Sequence, residues 1–176
     1  MILFIIDQAP LLHLISIHLA NITGMEGFSL GQQIKDKCGM RASMTAELVF
    51  EDVIVPNENV VGDINKATLC MMRNLEIERI ALAAMSLGIA KRCVEEMTLY
   101  CQERKAFGKE LINFGQIQKN ISESYADYMA GRSYVYNVAR KIDLASTGNS
   151  LDADGVKLYA GAMAKTVADR AIQCLG

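Results

Sequence analysis

Residues 72–100 read MRNLEIERIALAAMSLGIAKRCVEEMTLY, and this stretch decides the fold. Apolar side chains recur in it at steps of three, four or seven residues, which is the spacing of one face of an α-helix. The flanking residues extend the pattern to about 66–103. No proline follows Pro56, and such a long run without one favours long helices. The predicted apolar face consists of Met72, Leu75, Leu82, Met85, Ile89, Cys93, Met97 and Tyr100.

Two further helical patterns follow the first. One runs from about residue 116 to 145, and the other runs from near Asp152 to the end of the sequence. The linker between them, residues 147–150, is short enough to join antiparallel neighbours. The sequence therefore predicts a mainly α fold with an up-and-down helical bundle. The apolar positions of the second helix are Ile117, Ile121, Tyr125, Tyr128, Val135 and Ile142, and those of the third are Val156, Tyr159, Met163 and Val167.

The first 62 residues carry different patterns. Residues 1–23 are strongly apolar but broken by Asp7 and Pro10, and they remain unassigned. Their apolar runs are too short for a membrane span, and they lack the basic residues of a signal or transit peptide. Residues 24–62 are punctuated by glycines, and residues 45–55 are rich in β-branched side chains. We expect a short β region over 24–62 and the helical bundle over 63–176.

Composition excludes several classes of function. With 18 basic and 20 acidic residues, the net charge of −2 provides no positive field for nucleic acid. The five cysteines lie far apart without a CxxC pair, so we expect reduced, buried thiols and no metal site. Both histidines fall within the first twenty residues. A nucleophile activated by histidine is therefore not expected in the helical region.

A carboxylate falls on the predicted apolar face of the first helix. Glu78 fits the series between Leu75 and Leu82, and no cation lies one helical turn from it. Burial away from cations raises the pKa of a carboxyl group, as a general base near neutral pH requires. Glu76 differs, because arginines at 73 and 79 can form ordinary surface pairs with it. The alternative for Glu78 is structural, with the side chain reaching an edge or pairing with a distant cation.

A basic loop is the second candidate site. Residues 103–109 read ERKAFGK, in which three cations flank a phenylalanine and a glycine. Such a loop can meet a phosphate or a nucleotide, because arginine binds phosphate with two parallel hydrogen bonds. The alternative is a solvated basic turn with Phe107 anchored in the core.

Five runs, taken together, resemble one enzyme family. The chain is similar to the acyl-CoA dehydrogenases over residues 24–176, and most similar to their isovaleryl-CoA dehydrogenase branch. One such motif is weakly specific, whereas five in the same order and spacing are strongly specific. The runs are GMRASMTAELVFEDVIVP (39–56), LEIER (75–79), ERKAFG (103–108), YVYNVA (134–139) and AIQCLG (171–176).

The resemblance implies a reaction and a set of substrate contacts. Members of this family dehydrogenate acyl-CoA thioesters with FAD, and the isovaleryl branch carries its catalytic base on the first helix of the bundle. The run LEIER matches that arrangement and places the base at Glu78. Glu76 and Arg79 match positions near the substrate. Glu78 is thus expected to remove the α-proton while a hydride leaves the β-carbon for the flavin.

The resemblance also implies cofactor contacts and an assembly. A family subunit has an N-terminal helical domain, a middle β-domain and a C-terminal four-helix bundle, and four subunits form a homotetramer. Arg104 and Phe107 match residues that contact a neighbouring subunit's FAD, and Gln173 and Gly176 match the start of another FAD contact. Reoxidation by an electron-transferring flavoprotein and a mitochondrial matrix location are implied in the same way.

Large parts of the family subunit have no counterpart in this sequence. Residues 24–62 match only the C-terminal end of the β-domain, and 63–176 match three long helices of the four-helix bundle. We therefore expect an incomplete bundle preceded by a short β remnant, with an exposed apolar groove and no turnover by the chain alone. The alternative is a catalytically inactive helical interaction module or a truncated gene product.

Overall fold

The computed structural model describes residues 2–6, 15–19, 26–142 and 151–176. They fall into two compact units, Met1–Cys70 and Met71–Gly176. The division lies within the first helix, where the Sγ atom of Cys70 packs close to Gly62. The predicted linker at 147–150 and His13 lie outside the described residues.

The first unit contains two small antiparallel sheets. Strand β1 (Ile2–Ile6) pairs with β2 (Ile15–Leu19), and β2 also pairs with a two-residue strand at Val60–Val61. The β region therefore begins before residue 24, the predicted start. Short runs rich in isoleucine, such as ILFII, can form strands when a second strand is available for pairing.

The second sheet is a hairpin of β3 (Phe28–Ile34) and β4 (Thr45–Phe50). The two-residue strand at Val60–Val61, which belongs to the first sheet, is β5. The rings of Phe28 and Phe50 lie 5.3 Å apart across the pair. The predicted strand over 45–55 thus ends at Phe50. Beyond Phe50 the two backbones still approach closely: Glu51 N–H donates a hydrogen bond of 2.8 Å to the carbonyl oxygen of Gly27, and a Cβ atom on Gly27 would collide with the carbonyl oxygen of Glu51.

The second unit is built from three long helices, as predicted. Helix α1 spans Ala67–Glu103, α2 spans Gly115–Arg140 and α3 spans Leu151–Leu175. A short hairpin of β6 (Lys105–Ala106) and β7 (Lys109–Glu110) joins α1 to α2. No helix within the described ranges is long and apolar enough to cross a membrane.

The face of α1 that packs into the bundle is not the predicted one. Of the predicted series, Met72, Leu82, Met85 and Ile89 are exposed, and only Met97 is fully buried. The buried residues of α1 follow a neighbouring stripe at steps of three, four or seven residues. Because α1 is apolar on more than one side, spacing alone did not reveal which side packs. The buried stripe comprises Glu76, Ile80, Ala83, Leu87, Ala90, Met97 and Cys101.

The other two helices complete the core. Helix α3 was predicted better, since Val156, Met163 and Val167 are buried in the main cluster. In α2 the buried positions include small and polar residues, whereas the predicted Tyr125 is exposed. Two carboxylates of α2, Glu123 and Asp127, pair with Arg170 of α3 at 3.1 and 2.7 Å.

The cysteines are free thiols in contrasting environments. Cys101 of α1 and Cys174 of α3 are buried in a second cluster at one end of the bundle. Burial, together with the neighbouring Cys174, raises the pKa of the Cys101 thiol from 9.0 to about 11. Cys38 is exposed, so the expectation that all five are buried is wrong for it.

Candidate functional site

Glu78 lies on the outer surface of α1. It is exposed, so the predicted burial of this carboxylate is wrong. The side-chain amide Nδ2 of Asn74, one turn earlier, donates a hydrogen bond of 2.6 Å to Glu78 Oε1. The surrounding surface is nevertheless apolar, because Leu82 and Met85 on the same side of the helix are also exposed. Glu78 is therefore an accessible carboxylate on an apolar surface, with one oxygen already engaged.

Glu76 and Arg79, the two charged neighbours of Glu78 in the run LEIER, lie in different environments from those predicted. Glu76 is buried, with only 5% of its surface exposed, where we expected a surface residue. Arg79, which was expected together with Arg73 to pair with Glu76 at the surface, forms an ion pair with α3, in which its Nε atom lies 3.0 Å from Oδ1 of Asp154. This ion pair joins α1 to the first turn of α3. It holds the guanidinium of Arg79 beside the surface that carries Glu78.

The basic loop forms the turn of the β6–β7 hairpin. Phe107 and Gly108 at its tip both have positive φ angles, 51° and 82°. Phe107 is 97% exposed, so the alternative that anchored it in the core is wrong. Its ring lies 6.4 Å from the ring of Phe114, over which the ammonium of Lys109 sits at 4.1 Å. The hairpin thus exposes the aromatic ring of Phe107 to solvent, and the cation of Lys109 lies nearby.

Electrostatics fixes the base of this hairpin. The Nζ atom of Lys105 lies 3.3 Å from Oε1 of Glu110 across the two strands. A hydrogen bond from its own backbone N–H, followed by the ion pair with Lys105, lowers the pKa of the Glu110 carboxyl. Arg104, which precedes β6, is exposed, and its carbonyl oxygen accepts a hydrogen bond from Leu111 N–H at 2.8 Å.

The remaining predicted residues lie at the end of α3. Gln173 and Gly176 are both exposed there. Because Cys101 and Cys174 belong to one buried cluster, the end of α3 and the hairpin after α1 occupy the same end of the bundle. Four predicted cofactor contacts are thus grouped at this end: Arg104, Phe107, Gln173 and Gly176.

The predicted base and the predicted cofactor contacts are far apart within the chain. At the 1.5 Å rise per residue of an α-helix, roughly 39 Å of helix axis separates Glu78 from Arg104. The structure therefore provides two separate surfaces along α1, one around Glu78 and one around the hairpin. Within the described part of the chain, no group of three His, Cys, Asp or Glu residues could hold a metal ion.

An apolar groove runs between α1 and α2, as expected for an incomplete bundle. Its volume is about 490 Å³, and its lining includes Ile77, Leu87, Tyr128 and Val135. The groove and the surface around Glu78 lie on different sides of α1, since their residues fall on opposite sides of the buried stripe.

Comparison with known proteins identifies the fold family. The family model of the acyl-CoA dehydrogenase C-terminal domain matches residues 68–176. The chain belongs to the acyl-CoA dehydrogenase family.

Individual acyl-CoA dehydrogenases agree with this assignment. A mitochondrial isovaleryl-CoA dehydrogenase of Solanum tuberosum is 42% identical over 153 residues, which are 87% of this chain and 37% of that protein. A mitochondrial 2-methylacyl-CoA dehydrogenase of the same plant is also 42% identical, over 86% of this chain and 36% of that protein. The structure of a butyryl-CoA dehydrogenase from Megasphaera elsdenii matches 93% of this chain with a TM-score of 0.84 and 35% identity.

The matched region is only part of each relative. The chain spans 37% of the length of the potato isovaleryl-CoA dehydrogenase and 42% of the Megasphaera chain.

Two residues beside the candidate base were not among the predicted site residues. Asn74 could have been found from its position four residues before Glu78, a spacing that brings helical side chains together. Asp154 could not, because it lies 75 residues after Arg79 and meets it only through packing of α3 on α1.

Proposed function

We propose that this chain contributes the catalytic base and the helical bundle to a FAD-dependent acyl-CoA dehydrogenase of leucine catabolism. The proposed substrate is a short branched acyl-CoA such as isovaleryl-CoA, and the proposed location is the mitochondrial matrix. The observation that carries the proposal is Glu78, a carboxylate exposed on an apolar surface within the run LEIER. Support for the substrate comes from the 42% identity to an isovaleryl-CoA dehydrogenase.

The reaction needs a base at the carbon next to the thioester carbonyl. That carbon is acidic because the carbonyl stabilises the negative charge left by the proton. The free oxygen of the Glu78 carboxylate accepts the proton, and the electron pair of the broken C–H bond forms the α,β double bond as a hydride leaves the β-carbon. FAD, when bound, supplies the acceptor for this hydride. The apolar side chains of Leu82 and Met85 favour exclusion of water around the reacting carbons.

The substrate contacts proposed for Glu76 and Arg79 differ in character. Arg79 is a half-buried guanidinium fixed by Asp154, so it offers remaining donors to a carbonyl or phosphate of the thioester substrate. Glu76 is buried and supports the surface from beneath. Direct contact of Glu76 with a substrate therefore requires the substrate to approach the packed face of α1.

The chemistry of the hairpin fits FAD. An exposed guanidinium at Arg104 suits a diphosphate, and the exposed ring of Phe107 suits stacking on adenine. The exposed amide of Gln173 and the backbone at Gly176 add hydrogen-bonding groups at the same end of the bundle. Because roughly 39 Å of helix axis separates these residues from Glu78, we propose that they hold the FAD of a neighbouring subunit in a homotetramer. The proposed acceptor for the electrons is an electron-transferring flavoprotein.

Flavin reduction tests this function. The chain is assayed with FAD and isovaleryl-CoA, alongside a chimera in which residues 68–176 replace the matching residues of the potato isovaleryl-CoA dehydrogenase. We expect no bleaching by the chain alone. In the chimera we expect substrate to bleach the flavin absorbance anaerobically, Glu78→Gln to abolish the bleaching, and FAD to remain bound. Glu96→Gln, at a partly exposed glutamate of the same helix, serves as the matched control and should leave the rate unchanged. Bleaching at an unchanged rate in Glu78→Gln would remove Glu78 from the proposed role.

A non-catalytic interaction module is the second candidate function. The apolar groove between α1 and α2 and the exposed side chains of Leu82, Met85 and Ile89 favour it, because apolar surface of this extent marks interaction sites. Size-exclusion chromatography with a full-length isovaleryl-CoA dehydrogenase tests the module. Co-elution, together with no substrate-dependent bleaching in the chimera, would support it, and separate elution would count against it.

A further inference from the structure

Asn74 is the polar neighbour of Glu78 on α1. Its side-chain amide Nδ2 lies 2.6 Å from Glu78 Oε1, a short hydrogen bond for a nitrogen donor. The other residues one helical turn from Glu78 are Leu75, Ala81 and Leu82, which offer no side-chain hydrogen bond. The adjacent cation, Arg79, is engaged with Asp154. Among the described residues, Asn74 is therefore the group placed to orient this carboxylate.

We propose that Asn74 is the positioning residue of Glu78. The inference rests on the proposed function, in which Glu78 is the base. An exposed glutamate has three rotatable bonds and samples many rotamers, whereas a hydrogen bond to a residue four positions earlier selects those that lie along the helix. With Oε1 held, Oε2 remains free to accept the substrate proton. Orienting a reacting group in this way contributes to rate without adding a contact to the substrate.

Helix propensity does not account for this asparagine. Asparagine is a poor helix former because its side chain competes for backbone hydrogen bonds, yet Asn74 lies inside α1, eight positions into its 37 residues. Its amide instead donates to the one carboxylate within reach on that surface. The hydrogen bond gives this unfavourable residue a role that alanine or leucine could not fill.

The contact itself can be tested without activity, in the full ¹⁵N-labelled chain. The side-chain amide peaks of Asn74 are identified as the pair that disappears in Asn74→Ala. We expect Glu78→Ala to move this pair upfield, since the amide proton loses its carboxylate acceptor. The peaks of Asn137, an exposed asparagine inside α2, provide the reference and should stay in place. An unmoved Asn74 pair would overturn the contact.

The positioning role is tested in the flavin-reduction assay of the chimera that carries residues 68–176. We expect Asn74→Ala to lower the rate at saturating isovaleryl-CoA by about threefold to tenfold, the factor that corresponds to one hydrogen bond, and to leave the half-saturating concentration unchanged. Asn74→Gln, which keeps the donor, should retain most of the rate. Asn137→Ala is the matched control for replacing an exposed helical asparagine and should retain all of it.

The outcomes separate the two claims. An unchanged rate in Asn74→Ala, with the amide contact present, would overturn the positioning role. An increase in half-saturating concentration alone would also overturn it, since Asn74 would then be a substrate contact. If Glu78→Gln still reduces flavin, the proposed function fails, while the amide spectra still decide whether Asn74 holds the carboxylate.

Discussion

Gly155 and Gly161 of α3 differ in the space around them, and this difference predicts opposite effects of the same substitution. A Cβ atom built on Gly155 would lie 2.4 Å from Oη of Tyr134, whereas nothing lies within 4 Å of a Cβ atom on Gly161. Ordinary contacts begin near 3.4 Å, so Gly155→Ala must displace the Tyr134 hydroxyl by about 1 Å. The ring of Tyr134 also packs edge-on against Tyr159, with 6.2 Å between centroids, which restricts that movement.

The magnitudes follow from two opposing terms. Replacing glycine by alanine inside a helix stabilises the fold by about 1 kcal/mol. Overpacking a well-filled contact costs about 1–3 kcal/mol. We therefore expect Gly161→Ala to raise the free energy of unfolding by about 1 kcal/mol and Gly155→Ala to lower it by a similar amount. Their melting temperatures should differ by roughly 4–8 °C, since about 1 kcal/mol corresponds to 2–4 °C in a chain of this size.

Thermal and urea unfolding of the chain, followed by circular dichroism at 222 nm, measures both effects. Tyr134→Phe provides an internal check, because it removes Oη and leaves Cζ at 3.6 Å from the new Cβ atom. In that background Gly155→Ala should become stabilising. The reasoning is refuted if Gly155→Ala stabilises the wild-type chain as much as Gly161→Ala does, or if Tyr134→Phe brings no recovery.

Two further predictions concern charge and thiol chemistry. Arg170→Met should destabilise the chain by about 1–2 kcal/mol, because this arginine is only 24% exposed and pairs with two carboxylates of α2; Lys165→Met, which breaks an exposed pair with Asp169, should change the free energy of unfolding by less than about 0.5 kcal/mol. Equal losses in urea unfolding would contradict this contrast. Cys38 should react with a thiol reagent at pH 8 much faster than Cys101, as mass spectrometry of the labelled peptides can show. The free energy of unfolding should fall as the pH rises from 9 towards 11, since the Cys101 thiol ionises near 9.0 when unfolded and near 11 when folded; a flat profile would contradict the burial of Cys101.

The helices were readable from the sequence, but the packed side of α1 was not. Spacing and the absence of proline predicted 66–103 for a helix that spans Ala67–Glu103. The same spacing chose the stripe through Leu82 and Ile89, whereas the stripe through Ala83 and Leu87 is buried. Both stripes are apolar with helical periodicity, and only the packing of α2 and α3 distinguishes them. Periodicity locates a helix reliably but orients it only when a single face is apolar.

For the candidate site, too, the sequence selected candidate residues but did not predict their burial and their contacts. Motifs selected Glu78, Arg104 and Phe107 as candidates, but helical spacing placed Glu78 in the buried stripe, where Glu76, two residues away, lies instead. Phe107 was harder to place, since a phenylalanine is usually buried. It lies at the tip of the hairpin with a positive φ angle and is almost fully exposed. Contacts made across helices, such as Arg79 with Asp154, leave no signal in local sequence.

The most direct test of the proposed function is the anaerobic rate of flavin bleaching by isovaleryl-CoA in the chimera. The Glu78→Gln chimera is compared with the unsubstituted chimera and with its Glu96→Gln variant, at equal FAD content. We expect bleaching to be lost in Glu78→Gln and kept in Glu96→Gln. Bleaching at the wild-type rate in Glu78→Gln would contradict it, because the carboxylate on the apolar surface of α1 would then not be the base.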